Sequence, residues 1–236
     1  MATSGSYDWK LTRDQVITAA LRKLAVLPSG GSPTTNQLND GIVALNAVLK
    51  SFHADGMPLW VITNKTFTVT SGTSSYTIGV GQTIDAPKPL VVYQARYATS
   101  GNPPVSMNIY NRYDFNLLPQ LSTITGTPVN LYYQPLADNT GTIKLWPTPD
   151  NSTTTVTIEY QRPFQDMDAS TDDLDFPNYW TQAIIYNLAW ALAPEYGIPP
   201  TDRGLLIQEA KYFHEQALGF GSEDSSVFFQ PDWQGR

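Results

Sequence analysis

Hydrophobic spacing changes period twice along this chain, near residues 61 and 163, and that double switch limits the folds open to it. Up to about residue 60, apolar side chains recur three and four positions apart, as on one face of a helix. Between about 61 and 163 they alternate within short runs bounded by Gly, Pro, Asn and Asp, the mark of half-buried strands. Helical spacing then resumes. The order helix, strand, helix calls for an α+β fold whose helical part is split in sequence.

The first helix is expected from Thr12 to about Ala25, with Thr12 as its cap and Leu11, Val16, Ala20 and Leu24 at near-helical spacing. The stretch "LPSGGSP" breaks it. Thr34 or Thr35 opens a second helix whose stripe is Leu38, Ile42, Leu45, Leu49 and Phe52, closed by Asp55-Gly56 with Pro58 beyond. Seven strand-like runs follow: "KTFTVT", "SYTI", "LVVYQARY", "MNIYNR", "VNLYYQ", "TIKLW" and "TVTIEYQ".

An acidic linker, "DMDASTDDLDF", leads into a third helix with Pro177 in its first turn. Trp180, Ile184, Leu188 and Leu192 share one face, whereas Ile185 and Trp190 lie elsewhere on the wheel. A helix apolar on more than one face is either central to its bundle or packed on a second chain, so Ile185 and Trp190 are candidate subunit-interface residues. Thr201 is placed to cap a last helix carrying Leu206, Ala210, Phe213 and Ala217, which Gly219 and Gly221 are expected to stop.

Neither helical hairpin carries enough apolar surface for its own core. The expected fold is therefore a four-helix bundle, formed by the N- and C-terminal hairpins, with an inserted antiparallel β-sandwich or barrel. Its expected divisions are 1–60, the first hairpin; 61–163, the β-domain; 164–221, the linker and second hairpin; and 222–236, an extended C-terminal arm. The arm sets "GSEDSS" before "FFQPDW", placing Phe228, Phe229 and Trp233 on a segment with no core of its own. Such aromatics suit docking onto a partner.

Catalytic and metal chemistry find little purchase. The absence of cysteine removes disulfides, thiolate nucleophiles and Cys-based zinc sites. In the linker, Asp166, Asp168, Ser170 and Asp172 match positions 1, 3, 5 and 7 of an EF-hand loop, but Thr171 replaces its glycine and Pro177 its bidentate Glu. Acids favoured at a helix start account for the same residues. His53 and His214 are read as surface or boundary residues. No nucleophile elbow, H-E-x-x-H or Walker loop is present, and "GVGQTI" is not followed by a helix. Glu159 and Asp150 give no glycosidase pair, and Tyr93, Tyr97, Tyr110, Tyr113, Tyr132 and Tyr133 read as core and interface residues ahead of a sugar-stacking face. The expectation is no catalytic residue, no cofactor and no metal: not an enzyme.

Net charge is −7, with only 14 scattered Lys and Arg residues, so tight nucleic-acid binding is not expected. The opening "MATSGSYDWK" has neither the basic nor the apolar region of a signal peptide, and no apolar run is long enough to span a bilayer, so no membrane partner is expected.

In order, "LTRDQVITAALRKLAVL", "LNDGIVALNAVLKSFHADGMPLW", "GTPVNLYYQ", "TIKLWPTPD", "TIEYQRP", "DFPNYWTQAIIYNLAWALAPEYG" and "AKYFHEQAL" resemble the head-to-tail adaptor proteins of short-tailed bacteriophages, also called tail tubular or packaged-DNA stabilisation proteins. The resemblance runs from about residue 11 to 236, and the order of the segments carries it. It implies a structural protein of the virion's head-tail junction, made in the host cytoplasm. Such adaptors form a homo-oligomeric ring, usually a dodecamer, beneath the portal protein. The ring extends the channel through which packaged dsDNA passes without tight binding, and supports the downstream tail or nozzle protein. The resemblance also implies a C-terminal arm that reaches along the portal, the role it gives Phe228, Phe229 and Trp233. The competing reading is a carbohydrate- or receptor-binding β-domain protein of a virion.

Overall fold

The computed structural model describes residues 3, 5–55, 59–119 and 123–220. The chain is mixed α+β and divides into two units, one of residues 1–49 with 167–236 and the other of residues 50–166. Among the described residues there are five α-helices: α1 (Arg13–Lys23), α2 (Thr35–Ser51), α3 (Arg112–Asn116), α4 (Thr181–Leu192) and α5 (Pro200–Phe220).

In the first unit, local signals set where the helices start. The Gln15 side chain accepts from the Thr12 backbone N–H at 3.1 Å, closing the turn before α1. Before α2, the Thr34 N–H donates to the Gln37 side chain at 2.9 Å and the Gln37 N–H to the Thr34 hydroxyl at 3.3 Å. Val16, Ile17, Ala20 and Leu21 of α1 are fully buried. Gly41 of α2 lies so close to α1 that a Cβ there would stand 2.5 Å from Ile17 Cγ2. Only a glycine permits that approach.

Helix α4 is contacted by both α1 and α5, which explains why its apolar residues are spread around the wheel. Trp180, Ile184, Leu188 and Leu192 are buried as their spacing predicts, and Ala183, Ile185 and Ala189 are buried with them. Helix α5 begins two residues earlier than expected and takes in Thr201, with Pro200 at its first position, where the missing N–H costs nothing. It continues through Gly219 to Phe220: a glycine weakens a helix but does not end it where neighbouring side chains hold the last turn. Phe220 does so by packing its ring at a tilt against Tyr179, with centroids 4.9 Å apart.

The second unit begins with the last two residues of α2 and a turn of 3-10 helix, Phe52–Asp55. Its strands are β1 (Ile62–Thr68), β2 (Ser75–Gly79), β3 (Ile84–Asp85), β4 (Val91–Ala98), β5 (Val105–Ser106) and β6 (Asn108–Ile109). Then follow β7 (Thr125–Gly126), β8 (Asn130–Pro135), β9 (Gly141–Trp146), β10 (Thr148–Pro149) and β11 (Thr155–Gln161). They form sheets ordered β1-β11-β4-β5 and β3-β2-β9-β8-β6, with β10-β7 as a separate pair.

Six of the seven strand-like runs form strands of five residues or more. The exception is "MNIYNR", where Asn108–Ile109 pair and Asn111 then caps α3, its side chain accepting from the Asp114 N–H at 2.9 Å. The β1-β11-β4-β5 sheet is antiparallel throughout, but β2–β3, β6–β8 and β7–β10 are short parallel pairs, so the second sheet is mixed and the separate pair is parallel. Each parallel pair is two residues long and involves a minor strand that a loop brings alongside.

Alternation fills one core from both larger sheets. Phe67, Ala95, Val156, Ile158 and Tyr160 come from the first; Tyr76, Ile78, Leu131, Ile143 and Leu145 come from the second. Tyr133 closes one side, donating its hydroxyl to the Pro89 carbonyl at 2.6 Å while burial pushes its pKa up to about 12. Its ring occupies the space a side chain at Gly141 would need, 2.5 Å from an added Cβ.

Candidate functional surfaces

Helix α4 places Trp190 on the surface of the first unit. The two interface candidates differ: Ile185 is 4% exposed and Trp190 is 43% exposed. Ile185 is part of the core shared with neighbouring helices, while Trp190 borders a groove of about 380 Å³ with Ala191, Pro194, Pro200, Arg203 and Ile207. The groove forms because Pro194 and Pro200 bracket the turn between α4 and α5, while Gly204 presents no side chain. One cation, Arg203, stands at this apolar surface, and its Nε has no hydrogen-bond partner among the described residues. Sequence spacing marks Trp190 as unusual but does not reveal the groove, which depends on the α4–α5 turn.

Phe228, Phe229 and Trp233 lie outside the described residues. The acidic linker is committed locally. The Asp172 carboxylate accepts from the backbone N–H groups of Asp168 and Ala169, at 2.9 and 2.6 Å. The Arg13 side chain donates to the Asp168 carbonyl, and the Arg13 N–H to the Asp172 carbonyl at 2.9 Å. Asp166 pairs with Lys50 at 2.8 Å. No group of three or more His, Cys, Asp or Glu among the described residues could hold a metal ion.

His53 is a boundary residue, as expected, partly buried in the turn that follows α2. Its ring stacks on Phe164, with centroids 4.5 Å apart, and Nε2 accepts from the Phe164 N–H at 2.9 Å. Lys50 Nζ donates to the Phe164 carbonyl at 2.6 Å, so the segments where the chain enters and leaves the second unit are tied together. An accepting Nε2 must be unprotonated. Burial first, then the Lys50 ammonium, hold the imidazole below its ordinary 6.5, with Asp166 opposing. A depressed His pKa means the unfolded chain binds the proton more readily, so this contribution is full above 6.5 and is lost as pH falls through the folded value. Urea unfolding should therefore show stability declining below pH 6.5, with a shallower decline in His53→Gln. Equal slopes would show that this imidazole does not carry the effect.

The tyrosines do not converge on one face. Tyr132 is buried in contact with Phe115, with ring centroids 5.5 Å apart, and Tyr133 packs against the core. Tyr93 donates its hydroxyl to Gln161 at 2.8 Å, and Tyr113 is exposed on α3. Glu159 lies in a polar patch with Asn64, Gln94, Arg96 and Thr157, and Asp150 lies at an exposed turn. No helix among the described residues is long and apolar enough to cross a membrane.

A family model described as SU10 adaptor protein matches residues 11–226. No curated protein matches the chain.

Proposed function

We propose that this chain, which belongs to the SU10 adaptor protein family and is thereby a bacteriophage structural adaptor of the virion, forms a ring beneath the portal. The ring joins head to tail in a short-tailed phage, extends the DNA channel, helps retain packaged DNA and supports the next tail component. The family match over nearly the whole described chain carries this reading.

On this reading, α1, α2, α4 and α5 form a four-helix bundle, and the inserted unit is a β-sandwich fed by both larger sheets. The bundle is the part that meets neighbouring copies. Trp190 and its groove provide an apolar contact on α4, while Ile185 is buried within the fold. Residues 222–236 form the arm that docks on the portal through Phe228, Phe229 and Trp233.

Charge fits a wall past which DNA slides. Each copy contributes −7, which opposes a grip on phosphates and also opposes ring closure by free subunits at low salt. Electron microscopy of the protein with its cognate portal should show a ring added below the portal, and the protein alone should stay monomeric or weakly associated. A stable ring of free subunits at low salt and low concentration would overturn the conditional assembly. Absence of any added density on the portal would overturn the adaptor placement.

A further inference from the structure

Tyr7 and Trp9 are large side chains of the first unit that their own chain does not cover. They are 92% and 59% exposed, and neither makes a ring contact or side-chain hydrogen bond among the described residues. Other exposed aromatics of that unit have partners: Tyr179 packs on Phe220 and Tyr212 on Phe213. Residues 5–11 lie in neither a helix nor a strand, and Thr12, which bridges to Asp173, ties them to the fold at the start of α1.

A ring is built from head-to-tail contacts, in which every copy offers two different patches that fit each other. The Trp190 groove is one such patch, and it is concave. Its lining holds Arg203 and no acid, and Arg203 Nε has no hydrogen-bond partner among the described residues. Residues 5–11 offer the complement: two aromatic rings, whose faces attract a cation, with the exposed Asp8 between them. Exposed Glu195 and Asp202 adjoin the groove residues Pro194 and Arg203 in sequence and match Lys10. A groove between α1 and the start of α2 fits less well, because its charges are already committed. There Asp14 pairs with Arg13 at 3.0 Å, and Arg22 donates to the Gly31 carbonyl at 3.2 Å.

We propose that Tyr7 and Trp9 of one copy enter the Trp190 groove of the next, making residues 5–11 the strap that joins neighbours. Two positions apart on an extended chain, both rings point to one side and enter together. Prolines 194 and 200 and Ile207 supply the apolar walls, and Arg203 lies against a ring face. The inference rests on the proposed ring and names the segment that fills its groove.

The chain has no cysteine, so engineered thiols report this contact alone. Lys10→Cys leaves both rings in place, and Ala191→Cys puts a thiol at the groove. Mixed with cognate portal and oxidised, the two single variants should form a disulfide dimer that neither forms by itself. No mixed dimer, where microscopy shows the ring on the portal, would overturn the strap and leave the ring standing. Absence of the ring would overturn the ring reading. The same mixture, concentrated without portal, then decides the strap: a mixed dimer supports it and none overturns it. In a chain carrying both thiols, a ladder of multimers is expected, whereas a disulfide confined to single chains would overturn the contact between copies. A Tyr7→Ala, Trp9→Ala variant should unfold at the parent's temperature yet need at least about tenfold more protein to self-associate in sedimentation velocity. Unchanged self-association would overturn the strap.

Discussion

Deleting residues 222–236 should abolish stable addition to the portal while changing the chain's melting temperature little. Buried side chains of α1, α2, α4 and α5 already make a core among the described residues, and that core is expected to hold without the deleted segment. Portal attachment, by contrast, loses three large aromatics per subunit. Each is worth roughly 1.5–3 kcal/mol when buried. Attachment of a ring is multivalent, so a loss repeated in every subunit compounds around the circle. Co-sedimentation with portal should fall to background, with unfolding monitored in parallel by circular dichroism. Equal portal binding by the shortened protein would reject the docking role. A large fall in melting temperature would instead assign these aromatics permanently to the chain's own helices.

Helices α1, α2, α4 and α5 and the longer strands were legible because their signals are local. Thr12 with Gln15 and Thr34 with Gln37 are capping pairs three residues apart, and alternation in "TIKLW" or "TVTIEYQ" needs no distant partner to be seen. The parallel pairs were not legible, because two-residue strands are placed by loops and leave no periodic signal. "MNIYNR" misled for a related reason: Asn111 can follow a strand or cap a helix, and here it caps α3. His53 was read from its place near a helix end, which does not reveal its contact with Phe164, 111 residues distant in sequence. The α4 helix shows the same limit at the candidate interface. Its excess apolar residues were visible, but only the packing of α1 and α5 against it distinguishes those that fill this chain's core from those left outside.

That distinction gives the second large effect, a separation of folding from assembly within five residues of one helix. Ile185→Ala removes side-chain atoms from a site only 4% exposed, where the loss of transfer energy and the cavity left behind cost about 2–5 kcal/mol. Against a typical total of about 5–15 kcal/mol, that should lower the melting temperature markedly and reduce assembly only through the fraction unfolded. Trp190→Ala acts at a site 43% exposed, so thermal unfolding should change far less. If Trp190 anchors the neighbouring copy, however, its truncation removes a contact of the class that commonly exceeds about 2 kcal/mol per interface. Every junction of the ring repeats the loss. Single Trp190→Ala subunits should still bind portal through the intact arm, but neighbouring positions should fill independently and the ring should fail to close. Complete rings from Trp190→Ala at the parent's concentration would remove the groove from the subunit interface. A fall in melting temperature matching that of Ile185→Ala would show that Trp190 belongs to the fold after all.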